Sequence, residues 1–223
     1  MANIGAVILA AGESSRLGQP KQLVQFQGKT LLRHTIDEAT QAGCGPIVVV
    51  IGSERNEISH ELKSSDVVVV ENTHWRSGIG TSIRAGVCTL IDCFDSNSKR
   101  FLHFGRNDKD ASTLPFVDAL VLLVCDQPFV DRDVIRSLIA LRKKTDKPIV
   151  ASSYAGTVGV PALFDRVCFP ELLALADNTG AKPIILANRE RVAELPFADG
   201  ACDIDTIADY EMLQKWRKFS TCE

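Results

Sequence analysis

The sequence has no surplus of positive charge. Its 25 lysines and arginines stand against 28 aspartates and glutamates, a formal net charge of −3. General nucleic-acid binders and anionic-membrane binders carry a basic excess. Both partners are set aside, and any bound anion must be held by local groups. No apolar run approaches the roughly 18 residues a membrane span needs. The seven cysteines (Cys44, Cys88, Cys93, Cys125, Cys168, Cys202 and Cys222) contain no C-x-x-C and no regular spacing. This argues against a zinc ribbon and a secreted disulfide framework, and for a reducing cytoplasm. The opening MANIGAVILAAG lacks a basic region and reads as a first strand, not a signal peptide. His34, His60, His74 and His103 show no metal-ligand spacing. There is no G-x-S-x-G, so a serine hydrolase is unsupported. There is also no G-x-x-x-x-G-K-[ST], and Gly12 and Gly18 do not fit G-x-G-x-x-G.

What is present is an alternation of short aliphatic runs and amphipathic segments. Residues Ile4–Leu9, Ile47–Ile51, Val67–Val70, Ala119–Val124 and Ile149–Ser152 are aliphatic without a period of two. Such runs suit parallel strands buried on both faces. Helices are predicted over Leu31–Ala42, capped by Thr30 and stopped by Gly43, over Glu54–Lys63 and over Thr81–Cys93. Asp131 caps a further helix reaching about Lys144, and Thr206 to Asp209 resembles a capping box before a last helix near Trp216. Strand and helix in turn predict an α/β fold: a three-layer, doubly wound, mostly parallel sheet. The 223 residues contain no linker and read as one domain, 1–223. Two stretches break the rhythm. Phe94–Phe116 is polar and aperiodic and reads as a loop insertion, and Tyr154–Pro161 (YAGTVGVP) as a Gly-rich turn region.

Several stretches can carry chemistry. Leu9, Ala10, Ala11, Gly12 and Glu13 end the first strand and lead to Arg16 and Lys21. Small residues let a ligand approach the backbone, successive N–H groups can form an anion nest, and Arg and Lys can neutralise phosphate. The bland alternative is a strand-to-helix turn with two surface cations. Asp126, in Val-Cys-Asp-Gln-Pro, ends an aliphatic strand and can hold a hard cation, or simply cap a turn. In Asn72–Ser82, Gly78 and Ser82 are candidate ligand contacts, and Trp75 can stack or pack. Gly159 and Pro161 flank Val160 in a further candidate turn. Asp203 and Asp205 alternate onto one face with Ile204 opposite, so a cation between them would relieve their repulsion. Otherwise one of them caps the last helix.

The stretch L-A-A-G-x-S-x-R-x-G-x-x-K resembles the MobA-like nucleotidyltransferases. Its Ala-Ala-Gly form, and the Asp-Gln-Pro after residue 125, are most similar to the molybdenum cofactor cytidylyltransferase branch. The resemblance spans nearly the whole chain outside 94–116. It implies a Rossmann-like nucleotide-diphospho-sugar transferase fold and transfer of CMP from CTP to molybdopterin, with Mg²⁺ on Asp126 and Asp205. It also implies that Arg16, Lys21 and Asp126 are the catalytic groups. Leu9 to Glu13, Gly78 and Ser82 join Arg16 and Lys21 around the nucleotide. Gly159, Pro161 and Lys182 would line the acceptor, and a molybdoenzyme or its chaperone would receive the product. Ile79, Val160 and Lys182 depart from the family pattern, which often has Met, His and Arg at these places. Alternatives are a relative using GTP or another triphosphate with a different acceptor, an NAD-binding oxidoreductase, and a non-catalytic cofactor-handling protein.

Overall fold

β1, Ile4–Ala10, is buried at every position, as expected of a strand at the centre of a sheet covered on both faces. The computed structural model describes residues 2–93, 117–187 and 189–220, so the insertion expected at 94–116 lies outside the described residues. Besides β1 the strands are β2 (Gln25–Phe26), β3 (Lys29–Thr30), β4 (Ile47–Ile51), β5 (Val68–Glu71), β6 (Ala119–Val124), β7 (Ile149–Tyr154), β8 (Thr157–Asp165) and β9 (Val192–Pro196). The α-helices are α1 (Leu31–Gln41), α2 (Arg55–Leu62), α3 (Ile79–Asp92), α4 (Arg132–Thr145), α5 (Phe169–Leu173), α6 (Lys182–Ala187) and α7 (Ile207–Ser220). A seven-stranded sheet has the order β5-β4-β1-β6-β8-β7-β9, and β2 and β3 form a separate ribbon. β8 runs antiparallel to both its neighbours, while the other pairings in the large sheet are parallel.

The alternation of side chains along the strands divides the core into two layers. Ile4, Ala6, Ile8 and Ala10 of β1 pack with Leu32 and Ile36 of α1, Ile58 of α2 and Ile135 and Leu138 of α4. Val7 and Leu9 face the other way, onto Ile83, Val87 and Leu90 of α3, Leu172 of α5 and Ile184 of α6. Helices thus cover both faces of a mostly parallel sheet, as the sequence pattern predicts. The caps also follow from the sequence. Thr30 accepts from the Arg33 N–H, Asp131 accepts from the N–H groups of Asp133 and Val134, and Gly43 adopts a φ of 89° after α1.

Tyr154–Pro161 is not the turn region its glycines indicate. Only Ala155 and Gly156 turn, with φ of 46° and 72°, and the rest is the end of β7 and the first half of β8. Two central residues at positive φ match the twist of a tight hairpin. β9 also escapes the pattern, because it is a half-exposed edge strand ending in Pro196.

Close packing of α3 on the sheet depends on one small residue. A Cβ at Gly86 would lie 2.4 Å from Val7 Cγ1 and 2.9 Å from Val50 Cγ2. Both valines are buried and rotationally stiff, so they cannot move aside cheaply. Gly86→Val should lower stability by about 1–3 kcal/mol or more, seen as a lower urea midpoint. An unchanged midpoint would show that α3 is not seated this tightly.

Candidate active site

The loop after β1 leaves the carboxyl edge of the sheet, where open α/β sheets bind ligands. Leu9, Ala10 and Ala11 are buried, whereas Gly12, Glu13 and Arg16 are exposed. The loop turns back on itself through Ser14. The Ser14 carbonyl accepts from the N–H groups of Leu17 (3.0 Å) and Gly18 (3.3 Å), and its hydroxyl accepts from the Lys21 N–H (2.8 Å). Gly18 takes a φ of 74°, closing the turn. Gln22 lies buried behind the loop and donates from Nε2 to the carbonyls of Ala10 (3.0 Å) and Gly12 (2.9 Å).

Lys21 then reaches the centre of a charged cluster. Its ammonium donates to Asp126 and, at 3.0 Å, to Asp205. Arg16 pairs with the other oxygen of Asp205 at 2.8 Å. The structure therefore brings together four residues that the sequence singles out from three separate stretches. Asp126 sits just past the end of β6, and its carbonyl accepts from the Ile204 N–H at 2.9 Å, which holds residues 203–205 beside it. Behind the cluster Leu17, Val24, Phe26, Leu31, Ile204 and Leu213 form a small apolar patch that joins both walls of the site. Leu213 is delivered by α7, which starts with the expected capping box: the Asp209 carboxylate accepts from the Thr206 N–H (2.8 Å), and the Thr206 hydroxyl accepts from the Asp209 N–H (3.2 Å).

The electrostatics follow from this geometry. Burial alone would pull the Lys21 ammonium down, but Asp126 and Asp205 outweigh it and hold it above the ordinary lysine value. Burial would raise Asp205, yet hydrogen bonds and charge from Lys21 and Arg16 hold its carboxyl below the usual range. Asp203 goes the other way. Burial and the charge of Asp126 push it up to about 6, although the Gln127 amide and Lys21 oppose them. The Cys125 thiol, next to Asp126, is pushed up to about 12 by burial and that carboxylate, which removes it as a nucleophile.

On the far side of Asp126, Gln127 donates to the carbonyls of Gly200 (2.8 Å) and Val160 (3.3 Å), and the Tyr154 hydroxyl donates to Val160 at 3.0 Å. This brings Gly159 and Pro161 of β8 to the same edge as Asp126. Gly159 has a packing reason to be small: a Cβ there would lie 2.5 Å from the Tyr154 hydroxyl.

The Asn72–Ser82 stretch forms a buried polar knot. Asn72 donates to the hydroxyls of Thr81 (2.8 Å) and Ser82 (2.9 Å) and accepts from the His74 N–H (3.0 Å). Ser82 is thus buried and engaged within the protein. Gly78, at φ 130°, packs directly on the backbone of Asp177 and Asn178, where a Cβ would come within 2.5 Å. Trp75 packs on Gly52, and the Arg76 guanidinium lies 4.3 Å from the Trp75 ring centroid. Lys182 is exposed at the start of α6. Among the described residues no hydrogen bond or ion pair joins it to the Asp126 cluster.

Gln22, Gln127, Asn72 and Tyr154 are site residues for which sequence reasoning assigns no role. The available signal is positional: Gln22 follows Lys21 and Gln127 follows Asp126. As for a metal, Asp126 and Asp205 offer hard oxygen donors within reach of a single ammonium nitrogen. Mg²⁺ is commonly held by one or two carboxylates together with substrate phosphates, so this donor set fits a hard divalent cation. Among the described residues no group of three or more His, Cys, Asp and Glu forms a closed metal cage, and no helix is long and apolar enough to cross a membrane.

The chain is similar to several known proteins. The molybdenum cofactor cytidylyltransferase of Escherichia coli (strain K12) is 26% identical over 212 residues, which is 94% of this chain and 95% of that protein. The crystal structure of Rv0371C from Mycobacterium tuberculosis H37Rv in complex with manganese superposes with a TM-score of 0.69 at 28% identity, covering 96% of this chain and 99% of that one. A nucleotidyl transferase from Methanothermobacter thermautotroptrophicus shares the fold, with a TM-score of 0.74 at 21% identity over 98% of this chain and 99% of that one. Residues 6–192 match the model of the MobA-like NTP transferase domain, and the chain belongs to that family of nucleotidyltransferases.

Proposed function

We propose that this protein transfers CMP from CTP to a molybdopterin-type acceptor with release of pyrophosphate, using Mg²⁺. The observation that carries this reading is the Lys21 ammonium shared between Asp126 and Asp205, with Arg16 on the outer carboxylate oxygen. The name of the Escherichia coli relative supports the choice of CTP and of the acceptor.

In the proposed step a phosphate oxygen of the acceptor attacks the α-phosphorus in line. The new P–O bond forms as the bond to the bridging oxygen breaks, and pyrophosphate carries away the electron pair. Such transfer needs positioning and neutralisation of charge rather than a protein nucleophile. Asp126 and Asp205 would hold Mg²⁺, which when bound would supply neutralisation of developing phosphate charge. Arg16 and Lys21 turn from their carboxylates to the β- and γ-phosphates and favour departure of pyrophosphate. Leu9, Ala10 and Ala11 support the loop, whose exposed Gly12 and Glu13 face the nucleotide. Gly78 and Ser82 act by holding the loop around Trp75. Gly159 and Pro161 line the acceptor end, with Lys182 at its rim. A molybdoenzyme or its chaperone is the recipient of the product, and the site belongs to a protein working in the cytoplasm.

A thermal-shift panel tests the ligand. CTP at about 100 times its dissociation constant should stabilise the protein by about 2.7 kcal/mol, a rise of a few degrees, and the rise should require Mg²⁺ and exceed that with GTP, ATP, UTP or NAD. A larger rise with GTP or ATP would retain nucleotidyl transfer and discard CTP, and a rise with NAD alone would overturn both. Asp126→Ala should be less stable than wild type yet still folded at about 25 °C, as seen by circular dichroism, and lose at least about 100-fold in turnover. Near wild-type turnover with Mg²⁺ would remove Asp126 from the metal site.

Asp203 makes a separate prediction for the metal-free protein. Its folded pKa of about 6 lies above the ordinary carboxylate value. Over that interval the folded state binds more protons than the unfolded chain, so stability falls as pH rises from about 4 to about 6. Asp205 has the opposite sign: its contribution is present above about pH 4 and is lost as pH falls further. Asp203→Asn should remove the first slope, leaving the variant more stable relative to wild type at pH 7 than at pH 4.5 in chemical unfolding. Parallel profiles would show that burial and Asp126 do not raise the Asp203 carboxyl in the folded protein.

A further inference from the structure

Gln22 is 1% exposed, and its Nε2 donates to the Ala10 carbonyl at 3.0 Å and the Gly12 carbonyl at 2.9 Å. Only the amide nitrogen can face two carbonyls, since the reversed amide would set oxygen against oxygen. Its buried Oε1 has no partner among the described residues, so the side chain's described hydrogen bonds are these two. In a trans peptide the carbonyl and the following N–H point in opposite directions. Drawing the carbonyls of Ala10 and Gly12 toward Gln22 therefore turns the N–H groups of Ala11 and Glu13 the other way. The carbonyl between them, that of Ala11, is held by the Ser53 N–H at 3.1 Å, so the intervening peptide is fixed as well. Around Gly12 the loop is open: among the described residues, beyond its chain neighbours, no atom lies within 4 Å of where a Cβ would stand. Trp75 stands beside this part of the loop: a Cβ at Gly52 would lie 2.8 Å from Trp75 Cγ and 2.9 Å from the Ala11 carbonyl oxygen. The cations Arg16 and Lys21 belong to the later, charged part of the loop.

We propose that Gln22 is a positioning residue: it presents the N–H groups of Ala11 and Glu13 as a fixed donor pair for acceptor atoms of a nucleoside, while Arg16 and Lys21 take the phosphates. The assignment rests on the nucleotidyl-transfer reading and deepens it by naming the residue that orients the loop's donors. Glutamate at this position distinguishes hydrogen bonding from space filling. Ionised, it has no donor for either carbonyl; protonated, it can donate to one.

The test is calorimetric titration of wild type, Gln22→Leu and Gln22→Glu with inorganic tripolyphosphate and with whichever of CTP, GTP, ATP and UTP wild type binds best, each with Mg²⁺. Gln22→Leu should weaken the nucleotide by at least about 10-fold, and tripolyphosphate by less than about 2-fold. Gln22→Glu should lose nucleotide affinity at about pH 8 and regain part of it at about pH 6, measured as a ratio to wild type at each pH. If Gln22→Leu fails to fold by circular dichroism, that ratio decides. Nucleotide affinity within about 2-fold of wild type in the folded variants, or equal loss of nucleotide and tripolyphosphate, would overturn the Gln22 assignment alone. Wild type that binds no triphosphate would overturn the nucleotidyl-transfer reading and Gln22 with it.

Discussion

One ammonium group reconciles two carboxylates that would otherwise repel. Lys21 lies 105 residues from Asp126 and 184 from Asp205 in the chain, yet donates to both. Lys21 and Asp126 are each only 17% exposed, so water screens their attraction weakly and neither charge can be removed cheaply. Breaking this partly buried pair strands the remaining charge, at a cost below the roughly 3–5 kcal/mol of a fully buried one. Asp203 shows what happens to a carboxylate at the edge of the same cluster without such a partner: burial and Asp126 push it up to about 6. Under the proposed function the pairing also accounts for nucleotide and metal belonging together. Phosphates that attract Arg16 and Lys21 leave Asp126 and Asp205 in need of another cation, and a divalent ion meets that need.

The sheet makes this meeting possible. β1 and β6 are parallel neighbours, so the loop carrying Lys21 and the turn carrying Asp126 leave the same edge. β8 runs against β6, with Ala162 opposite Leu122, which sends Val160 and Gly159 toward that edge as well. The β8 orientation thus places the candidate acceptor end next to the charged cluster. The small apolar patch around Leu17, Ile204 and Leu213 then keeps the outer walls together. Charge and packing are complementary here. The patch includes Ile204, between Asp203 and Asp205, and Leu17, beside Arg16, so the same segments carry both the packing and the charge.

The parts of this architecture that were legible in the sequence are those dictated by neighbours in the chain. Ile47–Ile51 and Ala119–Val124 stand out because strands buried on both faces must be continuously aliphatic. Thr30 and Asp131 stand out because capping is a local hydrogen bond. β8 was hidden by Gly159 and Pro161, which imitate a turn. The structure shows a strand whose pairing with β7 shifts register at Ala151 and Ser152, with the Ser152 hydroxyl donating to the Pro161 carbonyl at 2.7 Å. Arg16, Lys21, Asp126 and Asp205 were candidates by charge and position, and the resemblance of their stretches to the MobA-like pattern singled them out from the turn and capping roles such residues often have. Gln22 and Gln127 were not, since each satisfies backbone carbonyls whose proximity arises only on folding.

Glycines show the same division between what a sequence can and cannot announce. Gly80, Gly86 and Gly200 are small because protein fills the space: a Cβ would meet the Ala176 carbonyl at 2.1 Å, Val7 at 2.4 Å and Tyr154 at 2.6 Å. Gly18 and Gly156 are required by φ of 74° and 72°, which other residues adopt only at a cost. Gly12 satisfies neither condition. Its φ lies outside the left-handed range, and among the described residues no atom beyond its chain neighbours stands within 4 Å of where a Cβ would be. Under the proposed function that open space lets a nucleoside approach the peptide groups between Ala10 and Glu13, the segment whose carbonyls Gln22 holds from behind.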